Sequence, residues 1–354
     1  MNIHVISNDK FAAKFVWLID ERYPEKSNIV YIYNNEGKKK DIASDNVQYI
    51  DTYKEIDFDK LSERDKLFVH GFYNTSLVRF LCFNYRLFSK NQLVLIIWGA
   101  DLYDARAILQ EPGLHLKVRI NEIIKRKLIH YCNKFMTFAY SDFDLICQWY
   151  GAKGKQFDCI YPTNTNIELL DKLLAENERS DKTKVLLGNS ATISNQHISA
   201  LNELETFADK NIWILCPLSY GDMKYAEEVS EYGKKLFGKN FIPIRNYMSP
   251  EDYSRLLNSV DIAVFYNNRQ QATGNIEILS YLKKKIYVRS DTTTWKHYVE
   301  RDNCKFFDAL QIHSMQFDDF VNINDKDAEY NQEYIRKVWD ISEIKLLWDA
   351  VMEV

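Results

Sequence analysis

Residues 261–281, DIAVFYNNRQQATGNIEILSY, place an apolar run directly before a polar turn and the start of a helix-like segment. The run DIAVFYNN is rich in β-branched and aromatic residues, which favour a strand, whereas TGNIEILSY favours a helix. The first backbone N–H groups of that helix, around Gly274 and Asn275, attract anions because the helix leaves them unpaired. Arg269 adds a cation that can bind phosphate oxygens. The turn also carries two side-chain amides, on Gln270 and Gln271. This stretch therefore predicts a strand-to-helix turn that binds a phosphate group.

A second turn of the same kind lies earlier in the chain, in LLGNSATISNQHI at residues 186–198. Gly188, Asn189 and Ser190 follow a strand-like run, and Ser194 or Asn195 can cap the next helix. A single turn of this composition is more often structural than phosphate-binding. With two such turns in one half of the chain, the phosphate-binding interpretation and the structural one are about equally supported.

Strand-like and helix-like segments alternate along the whole chain, which predicts parallel sheets with helices on both faces. Since a chain of 354 residues is longer than one hydrophobic core usually organises, we expect two domains. The sequence predicts an α/β fold with two Rossmann-like doubly wound domains facing a cleft, where the carboxyl ends of both sheets bind ligands. The predicted parts are an N-terminal domain over 1–165, a C-terminal domain over 184–335 and a C-terminal helix over 336–354, with the boundary in the polar segment 163–183.

The predicted strands are short runs separated by amphipathic segments. In the first half they are NIHVIS, IVYIY, VQYI, LFVHG, LVLIIWG, FMTFAY and CIY. In the second half they are KVLLGNS, NIWILCP, FIPIR, DIAVFY and KIYVR.

Composition excludes several classes of protein. The formal net charge of −4 argues against a protein that coats nucleic acid. The N-terminus lacks the pattern of a signal peptide, and the chain lacks a long uncharged apolar segment, so we expect a cytoplasmic protein that does not span a membrane. The 6 cysteines lie far apart without a C-x-x-C pair, which predicts reduced cysteines and neither a zinc site nor a disulfide framework.

Several stretches taken together resemble one family of enzymes. FVHGFYN, IIWGADLY, YPT, LLGNS with SNQHISAL, ILCPLSYG and RQQATG occur in this order between Asp9 and Trp295. They resemble the TDP-N-acetylfucosamine:lipid II N-acetylfucosaminyltransferases, which are 4-alpha-L-fucosyltransferase-type enzymes of enterobacterial common antigen synthesis. WGADLY and SNQHI are the most distinctive of these motifs.

The resemblance implies a metal-independent glycosyltransferase of the GT-B fold, needing no cofactor. In such enzymes the C-terminal domain binds the nucleotide sugar and the N-terminal domain binds the acceptor. The implied reaction moves a deoxyamino sugar, similar to N-acetylfucosamine, from a nucleoside diphosphate such as TDP to a saccharide linked to polyprenyl diphosphate. Two departures leave another sugar or nucleotide open: Ala272 replaces a glycine of the family, and the surroundings of Glu277 are charged where the family is apolar.

Glycosyl transfer needs a base for the acceptor hydroxyl and groups that stabilise the departing diphosphate. Three residues match family positions at the ends of N-terminal strands: Asp101, His70 and Asp9, in that order of preference as the base. Each also has a purely structural interpretation, as a turn former, a satisfied strand-end histidine and a helix N-cap respectively. A retaining reaction would need no such base, and the sequence does not decide between the two outcomes.

The remaining candidate donor-binding residues are His197 and Tyr220. His197 matches the family's SNxHI motif, although a lone histidine on a helix is more often structural. Tyr220 follows the strand-like run ILCP in a loop expected to face the cleft. The two DFD triplets, at residues 57–59 and 142–144, can in principle bind a divalent ion, but neither matches a family position and we interpret both as exposed acids.

The segment LKVRINEIIKRKLIHYCNK, which begins at Leu116, predicts an amphipathic basic helix. Such a helix can bind an anionic membrane surface through its cations or simply be a solvated face packed on a sheet. A lipid-linked acceptor favours membrane association on the inner face of the cell membrane. The cations predicted to face the membrane are Lys117, Arg119, Lys125, Arg126 and Lys127.

Two other functions remain open at this point. A nucleotide-sugar epimerase of the same fold would need neither an acceptor nor a membrane surface. A non-catalytic two-lobed module would bind sugar without releasing nucleotide diphosphate. We expect no nucleic-acid partner, because the cations concentrate on one helix without an aromatic and basic RNA-binding motif.

Overall fold

The computed structural model describes residues 1–23, 28–176 and 182–352. The chain forms two compact units, Met1–Asn164 together with Trp339–Val354, and Thr165–Val338. We call them the N-terminal lobe and the C-terminal lobe. The chain therefore leaves the N-terminal lobe once and returns to it at Trp339. Part of the polar segment expected between the domains, residues 177–181, lies outside the described residues.

Each lobe is built on one sheet of parallel strands. The N-terminal sheet has the order β3-β2-β1-β4-β5-β6-β7 and the C-terminal sheet the order β10-β9-β8-β11-β12-β13. The strands are β1 Asn2–Ser7, β2 Asn28–Tyr33, β3 Val47–Tyr49, β4 Leu67–His70, β5 Leu93–Ile97, β6 Lys134–Thr137, β7 Lys155–Asp158, β8 Thr183–Leu187, β9 Ile212–Pro217, β10 Phe241–Ile244, β11 Ile262–Phe265, β12 Lys285–Val288 and β13 Phe307–Asp308.

Helices connect the strands in both lobes. The α-helices are α1 Ala12–Arg22, α2 Thr75–Phe83, α3 Ala100–Gln110, α4 Leu116–Tyr131, α5 Asp142–Tyr150, α6 Ile167–Ala175, α7 His197–Leu204, α8 Met223–Phe237, α9 Pro250–Ser259, α10 Thr273–Tyr281, α11 Thr293–Trp295, α12 Phe317–Val321, α13 Asp325–Val338 and α14 Ile341–Met352. Short 3₁₀ helices are Tyr53–Glu55, Phe58–Lys60, Tyr85–Leu87, Ile193–Asn195, Glu205–Phe207, Gly238–Asn240 and Ala309–Ser314. A π-helical segment, Lys296–Arg301, follows α11.

The central strands are buried on both faces, as parallel sheets covered by helices require. In β1 and β4, which pair side by side, Val5 and Val69 join one apolar core while Ile6 and Phe68 join another. Because successive residues point into apolar cores on opposite faces of the sheet, the sequence of these strands shows a continuous apolar run rather than an alternating one.

The order of the strands reverses between β1 and β4 and again between β8 and β11. Open α/β sheets bind their ligands at such switch points, outside the carboxyl ends of the strands. The turns that follow these four strands are therefore the places where each lobe is expected to present functional groups.

The final helix packs on the N-terminal lobe rather than standing apart from it. Trp348 of α14 is fully buried, its ring centroid lies 5.1 Å from that of Phe15, and its Nε1 donates a hydrogen bond of 2.9 Å to the backbone oxygen of Ile160. Ile344 and Val351 join the same core. One face of the N-terminal sheet is thus completed by residues from the far end of the chain.

Three elements differ from the sequence prediction. The strand predicted at CIY lies earlier, at Lys155–Asp158, and its pairing with β6 ends where the Cys159 N–H donates to the Thr137 oxygen over 3.0 Å. Helix α3 was not predicted: the structural alternative for Asp101 was a turn, whereas the residue lies in the first turn of a helix. Strand β13 was not predicted either, since it has only 2 residues.

Candidate functional site

The two turns predicted to bind phosphate lie next to each other in the C-terminal lobe. Each follows one of the strands at the switch point, β8 or β11. The Gly188 N–H donates to the Val264 oxygen over 3.0 Å, and the Asn268 N–H donates to the Ser194 oxygen, also over 3.0 Å. Backbone hydrogen bonds therefore hold the two turns in a fixed relation.

Gln271 joins the two turns through its side chain. Its Nε2 lies 3.2 Å from Asn189 Oδ1, 3.4 Å from Ser190 Oγ and 3.2 Å from Thr192 Oγ1. Its Oε1 accepts a 2.6 Å hydrogen bond from Ser194 Oγ. We call these five residues the Gln271 cluster. Its hydroxyl and amide groups are only partly buried, apart from the buried Ser190, so they form a polar surface at the switch point.

Gly188 is required by the shape of its turn. Its φ of +68° lies in the left-handed region, and an added Cβ would lie 2.5 Å from His197 Nε2 and 2.8 Å from Asn195 Oδ1. Asn195 was expected to cap the helix but instead fixes the turn. Its Oδ1 accepts from the Asn189 N–H over 3.0 Å, and its Nδ2 donates to Thr192 Oγ1 over 2.7 Å.

Tyr220 contacts this polar surface, and Asn275 lies in the first turn of α10. The Asn189 Nδ2 donates to the Tyr220 hydroxyl over 3.2 Å, and Tyr220 is 53% exposed. Asn275, near the start of α10, donates from Nδ2 to the Tyr253 hydroxyl over 2.8 Å. Burial raises the pKa of Tyr253, so this hydroxyl stays protonated. The structure thus brings together, on one lobe, residues predicted separately from three turns.

The turn before α10 has the features expected of an anion site at a helix start. Gly274 is exposed, and a Cβ added there would meet no atom within 4 Å. Arg269 is half-buried in the same turn, and Gln270 donates from Nε2 to Thr273 Oγ1 over 2.7 Å. Ala272 adopts φ +62° and ψ 17° and supplies no side-chain cap. The first turn of α10 is therefore accessible to a ligand.

His197 lies beneath the Gly188 turn rather than on the polar surface. Its ring is fully buried, and neither ring nitrogen has a hydrogen-bond partner within the described part of the chain. Burial lowers the pKa of His197 to about 4, so the ring is neutral. Its contact with Gly188 makes it a support for the turn.

Asn267 is a residue that the sequence reasoning missed. It follows β11 directly and is 5% exposed, and neither its Oδ1 nor its Nδ2 has a hydrogen-bond partner among the described residues. The signal was present, because an asparagine two positions before Arg269 is a polar residue at the end of a switch-point strand. Like His197, it is a buried polar side chain of the C-terminal lobe without a hydrogen-bond partner among the described residues.

In the N-terminal lobe, Asp101 holds two turns together. Its carboxylate accepts hydrogen bonds from the backbone N–H groups of Phe72 at 2.7 Å, Gly99 at 2.8 Å and Trp98 at 3.0 Å. Burial raises the pKa of Asp101, while Lys125 and these N–H groups oppose the rise. The carboxylate lies in the first turn of α3, at the positive end of the helix dipole. The Asp101 carboxylate therefore links the turn after β4 to the turn after β5.

His70 belongs to a row of buried polar side chains. Its Nδ1 lies 2.5 Å from the Tyr161 hydroxyl, its Nε2 lies 3.1 Å from His4 Nδ1, and His4 Nε2 lies 3.4 Å from Asn28 Oδ1. One arrangement satisfies all four groups: Tyr161 donates to His70, His70 to His4, and His4 to Asn28. Burial holds the pKa of His70 well below its ordinary value, and the nearby His4 adds to this effect.

The ring of His70 is also covered on one side. The Trp348 ring stacks on it with centroids 5.8 Å apart and planes 15° apart. Both ring nitrogens of His70 are engaged within the row, and its side chain is fully buried.

Asp9 is the accessible acid of the three predicted candidates. It follows β1 at the switch point, is half-buried, and accepts a 2.9 Å hydrogen bond from the Phe11 N–H at Oδ1. Burial raises the pKa of Asp9, and the neighbouring Lys38 and the Tyr73 hydroxyl oppose the rise. A carboxylate that is partly exposed and more basic than usual can accept a proton from a bound hydroxyl.

Four of the five cations predicted to face a membrane are exposed on the α4 region, namely Lys117, Arg119, Arg126 and Lys127. Lys125 is instead buried. It donates to the Asp101 backbone oxygen and lies 3.8 Å from Glu122 Oε1. Its position on the inner face of the helix explains the difference, because it is separated from Leu128 and Ile129 by one helical turn.

A family model supplies the comparison that this geometry calls for. The model of the 4-alpha-L-fucosyltransferases, glycosyl transferase group 56, matches residues 25–325. The chain belongs to glycosyl transferase group 56. The resemblance inferred from the sequence motifs is thereby confirmed, and this group 56 protein is a glycosyltransferase.

Solved structures share the fold of this group 56 protein. The structure entitled "OtsA apo structure" is similar with a TM-score of 0.67 at 7% identity, covering 100% of this chain and 99% of that one. The N-terminal domain of Candida albicans trehalose-6-phosphate phosphatase gives 0.65 at 10% identity, with 99% and 96% covered. WaaG, a glycosyltransferase involved in lipopolysaccharide biosynthesis, gives 0.59 at 12% identity, with 99% and 98% covered. Together with the two parallel sheets, these similarities confirm the predicted α/β GT-B fold.

Over residues 1–23, 28–176 and 182–352, no helix is both long enough and apolar enough to cross a membrane. Within the same ranges, no group of three or more histidine, cysteine, aspartate or glutamate side chains is arranged to hold a metal ion.

Proposed function

We propose that this glycosyltransferase moves a deoxyamino sugar, similar to N-acetylfucosamine, from a nucleoside diphosphate to a lipid-linked saccharide. The preferred nucleotide is TDP, and the acceptor is a saccharide on polyprenyl diphosphate used in surface polysaccharide synthesis. The observation that carries this proposal is the Gln271 cluster, which joins two turns at the switch point of the C-terminal sheet. Family membership supplies the class of reaction.

The C-terminal lobe binds the donor in this proposal. The exposed first turn of α10 and the Arg269 guanidinium bind the diphosphate, and the charge that develops on it during transfer is stabilised there. The amides and hydroxyls of the Gln271 cluster, with Tyr220, bind the sugar and nucleoside. A structure of the same fold, similar at a TM-score of 0.60 and 8% identity, was solved with UDP-2-fluoro glucose bound, which supports a nucleotide-sugar donor.

The N-terminal lobe binds the acceptor and supplies the base. We propose Asp9 for this role, because Asp101 is committed to three backbone N–H groups and His70 to two buried partners. Asp9 takes the proton of the acceptor hydroxyl while the new C–O bond forms at the anomeric carbon and the bond to the diphosphate oxygen breaks. This route inverts the anomeric carbon, so analysis of the product anomer tests it.

Membrane association completes the proposal. Lys117, Arg119, Arg126 and Lys127 are exposed beside exposed apolar side chains of α4, an arrangement that suits an anionic bilayer surface. The protein then works peripherally on the inner face of the cell membrane, where polyprenyl-linked saccharides are available.

Two measurements on the full chain test this function. Calorimetry against TDP, UDP, GDP and CMP identifies the nucleotide, and we expect TDP to bind most tightly. A transfer assay then measures the release of nucleoside diphosphate when a prenyl-linked saccharide is added to the nucleotide sugar. A changed sugar formed from donor alone would indicate an epimerase, and saturable binding without release would indicate a binding module; either result rejects the proposal.

Arg269→Ala tests the assignment of the diphosphate site. Removal of a charge-assisted hydrogen bond to phosphate is expected to raise the donor dissociation constant about 10- to 100-fold. Arg255→Ala is the matched control, since Arg255 is an exposed arginine of the same lobe paired with Glu251 at 2.9 Å. Equal donor affinity in the two variants would place the diphosphate elsewhere.

A further inference from the structure

The N-terminal lobe contains a cavity of about 320 Å³ between α2, α3 and α4. We call it the helix cavity. Its volume lies at the lower end of the range of about 300–1,000 Å³ found for sites that hold small organic molecules. Most of the surface that it presents is apolar, and its apolar lining includes Phe72, Val78, Ala105, Ile108, Val118 and Ile124. Ile108 is 39% exposed, so the cavity reaches the surface of the lobe.

Three of the charged side chains around the helix cavity are bonded to other groups of the protein. Arg79 donates from Nε and Nη2 to Asn121 Oδ1 over 3.1 and 2.6 Å. Lys125 donates to the Asp101 backbone oxygen, and Glu122 accepts a 2.7 Å hydrogen bond from the Tyr150 hydroxyl. These three charged side chains thus have partners within the protein, and the mostly apolar surface of the cavity suits an apolar occupant.

Exposed apolar side chains also lie on the outer face of α4, turned away from the α4 residues Val118 and Lys125 that line the cavity. Leu116, Ile120 and Ile123 are 58%, 45% and 59% exposed and recur at intervals of four and three residues, so they form one stripe on the helix surface. We call it the α4 stripe. Leu114, just before the helix, is 76% exposed. The exposed cations of α4 lie beside this stripe. A helix surface that combines apolar side chains and cations suits contact with a bilayer that carries anionic headgroups.

The helix cavity also adjoins the proposed base. Tyr73 lines the cavity, and its hydroxyl interacts with the Asp9 carboxylate. A molecule that occupies the cavity and extends past Tyr73 therefore approaches the carboxylate assigned to proton transfer.

We propose that the helix cavity binds the isoprenoid chain of the acceptor next to its diphosphate, while the α4 stripe contacts the bilayer from which that chain is drawn. This inference rests on the proposed function, since it assigns the lipid part of the same acceptor. The apolar walls contact the isoprenoid chain, and the exposed cations bind the anionic groups of the acceptor and the membrane. The saccharide lies on the side of the cavity lined by Tyr73. The cavity thus selects acceptors by their lipid.

Binding of prenyl diphosphates to the full-length wild-type protein tests this inference without any donor. Calorimetry with C5, C10 and C15 prenyl diphosphates is expected to show affinity rising at least tenfold from C5 to C15, because each added unit buries more apolar surface. Affinity that does not depend on chain length would overturn the proposal. Binding of dihexanoyl phosphatidylglycerol as tightly as the C15 compound would also overturn it, since the cavity would then accept bulk lipid.

Ala105→Phe fills the cavity and locates the effect. It should erase the gain from C5 to C15, whereas Ala107→Phe, at an exposed position of the same helix that does not line the cavity, should preserve it. Val118→Phe fills the same space from α4 and serves if Ala105→Phe does not fold. Similar behaviour of the filling variants and the Ala107→Phe control would refute the assignment.

Transfer assays separate this inference from the proposed function. A short-chain acceptor with the same saccharide and diphosphate should be used equally well by wild type and Ala105→Phe, while a long-chain acceptor should be used at least tenfold less efficiently by the variant. Transfer to the short-chain acceptor without any preference for long chains would defeat the cavity assignment alone. Chain-length-dependent binding without transfer from any nucleotide sugar would defeat the proposed function alone.

Discussion

The two lobes have the same strand order around their switch points, but the side chains that follow those strands differ in type and in exposure. In the C-terminal lobe, the turns after β8 and β11 present hydroxyls and side-chain amides bonded to each other, centred on Gln271. In the N-terminal lobe, His70 at the end of β4 and Asp101 after β5 are buried, and the aromatic rings of Trp98 and Tyr161 pack edge to face with their centroids 6.0 Å apart. An acidic or imidazole side chain at the end of a strand is therefore not always accessible to a ligand.

The kind of partner explains this difference. Asp101 is bonded to backbone N–H groups, which the fold requires, and His70 is bonded to side chains inside the sheet layer. Side-chain amides that bond to other side chains, as in the Gln271 cluster, can exchange those partners for a ligand at little cost to the fold. Asp9 is the N-terminal residue closest in character to the C-terminal groups, since it is half-buried and follows β1 at the switch point.

Asp9→Asn should produce the largest effect. The amide keeps an oxygen for the Phe11 N–H but cannot take a proton, so kcat should fall about 10²- to 10⁴-fold while the free energy of unfolding stays nearly constant. Transfer kinetics and urea denaturation measure the two quantities. Asp41→Asn, at an exposed position, is the control. Retention of full turnover by Asp9→Asn would exclude Asp9 as the base.

Asp101→Ala should act on folding rather than on chemistry. It removes one of the carboxylates near Lys125 and leaves three backbone N–H groups without their acceptor, which is expected to lower the free energy of unfolding by about 3–5 kcal/mol. Urea denaturation followed by circular dichroism measures this loss. If Asp101→Asn instead lost turnover at undiminished stability and donor affinity, Asp101 would be the base and the contrast with Asp9 would be reversed.

His197→Leu should change how stability depends on pH. The pKa of His197 is about 4 in the folded protein and 6.5 in its unperturbed state, so the unfolded chain binds this proton first as the pH falls. The wild type should therefore lose about 2 kcal/mol more than the variant between pH 7 and pH 5. Urea denaturation at both values tests this, with exposed His313→Gln as the control. Equal losses in wild type and His197→Leu would mean that the ring is not held neutral beneath the Gly188 turn.

Ala272→Gly should have the smallest effect and the opposite sign. Ala272 has a φ of +62°, which costs an L-residue about 1 kcal/mol and glycine almost nothing. After the greater freedom of glycine in the unfolded chain is subtracted, the variant should gain about 0.5 kcal/mol in the absence of donor. Ala107→Gly, in the exposed surface of α3, should lose about 1 kcal/mol. If both Ala272→Gly and Ala107→Gly lowered the free energy of unfolding, the positive φ of Ala272 would not be a source of strain.

The sequence was sufficient for the architecture and for the grouping of residues that we propose to bind the donor. Apolar runs such as DIAVFY and LVLIIWG contain β11 and β5, because a strand buried on both faces requires continuous apolar residues. Gly188 and Arg269 could be placed near one another because the carboxyl ends of neighbouring parallel strands share an edge. These are local patterns and a general rule of topology, both readable from one chain.

The accessibility of the N-terminal candidates could not be predicted in this way. His70 is covered by Trp348, which lies far along the chain in α14, and no local pattern connects the two. Likewise, the turn expected at Asp101 is the first turn of α3, and the carboxylate is bound by N–H groups from two loops. Burial set by distant packing decides whether a strand-end residue can do chemistry.

The return of α14 to the N-terminal lobe has a consequence for how the protein is made. The C-terminal lobe is one uninterrupted segment, Thr165–Val338, whereas the N-terminal lobe needs Trp339–Val354 as well. Because α14 follows the C-terminal lobe in the chain, the Trp348 ring that covers Phe15 and His70 is synthesised only after the whole of that lobe. The core of the N-terminal lobe can therefore be completed only after the sequence of the C-terminal lobe has been translated.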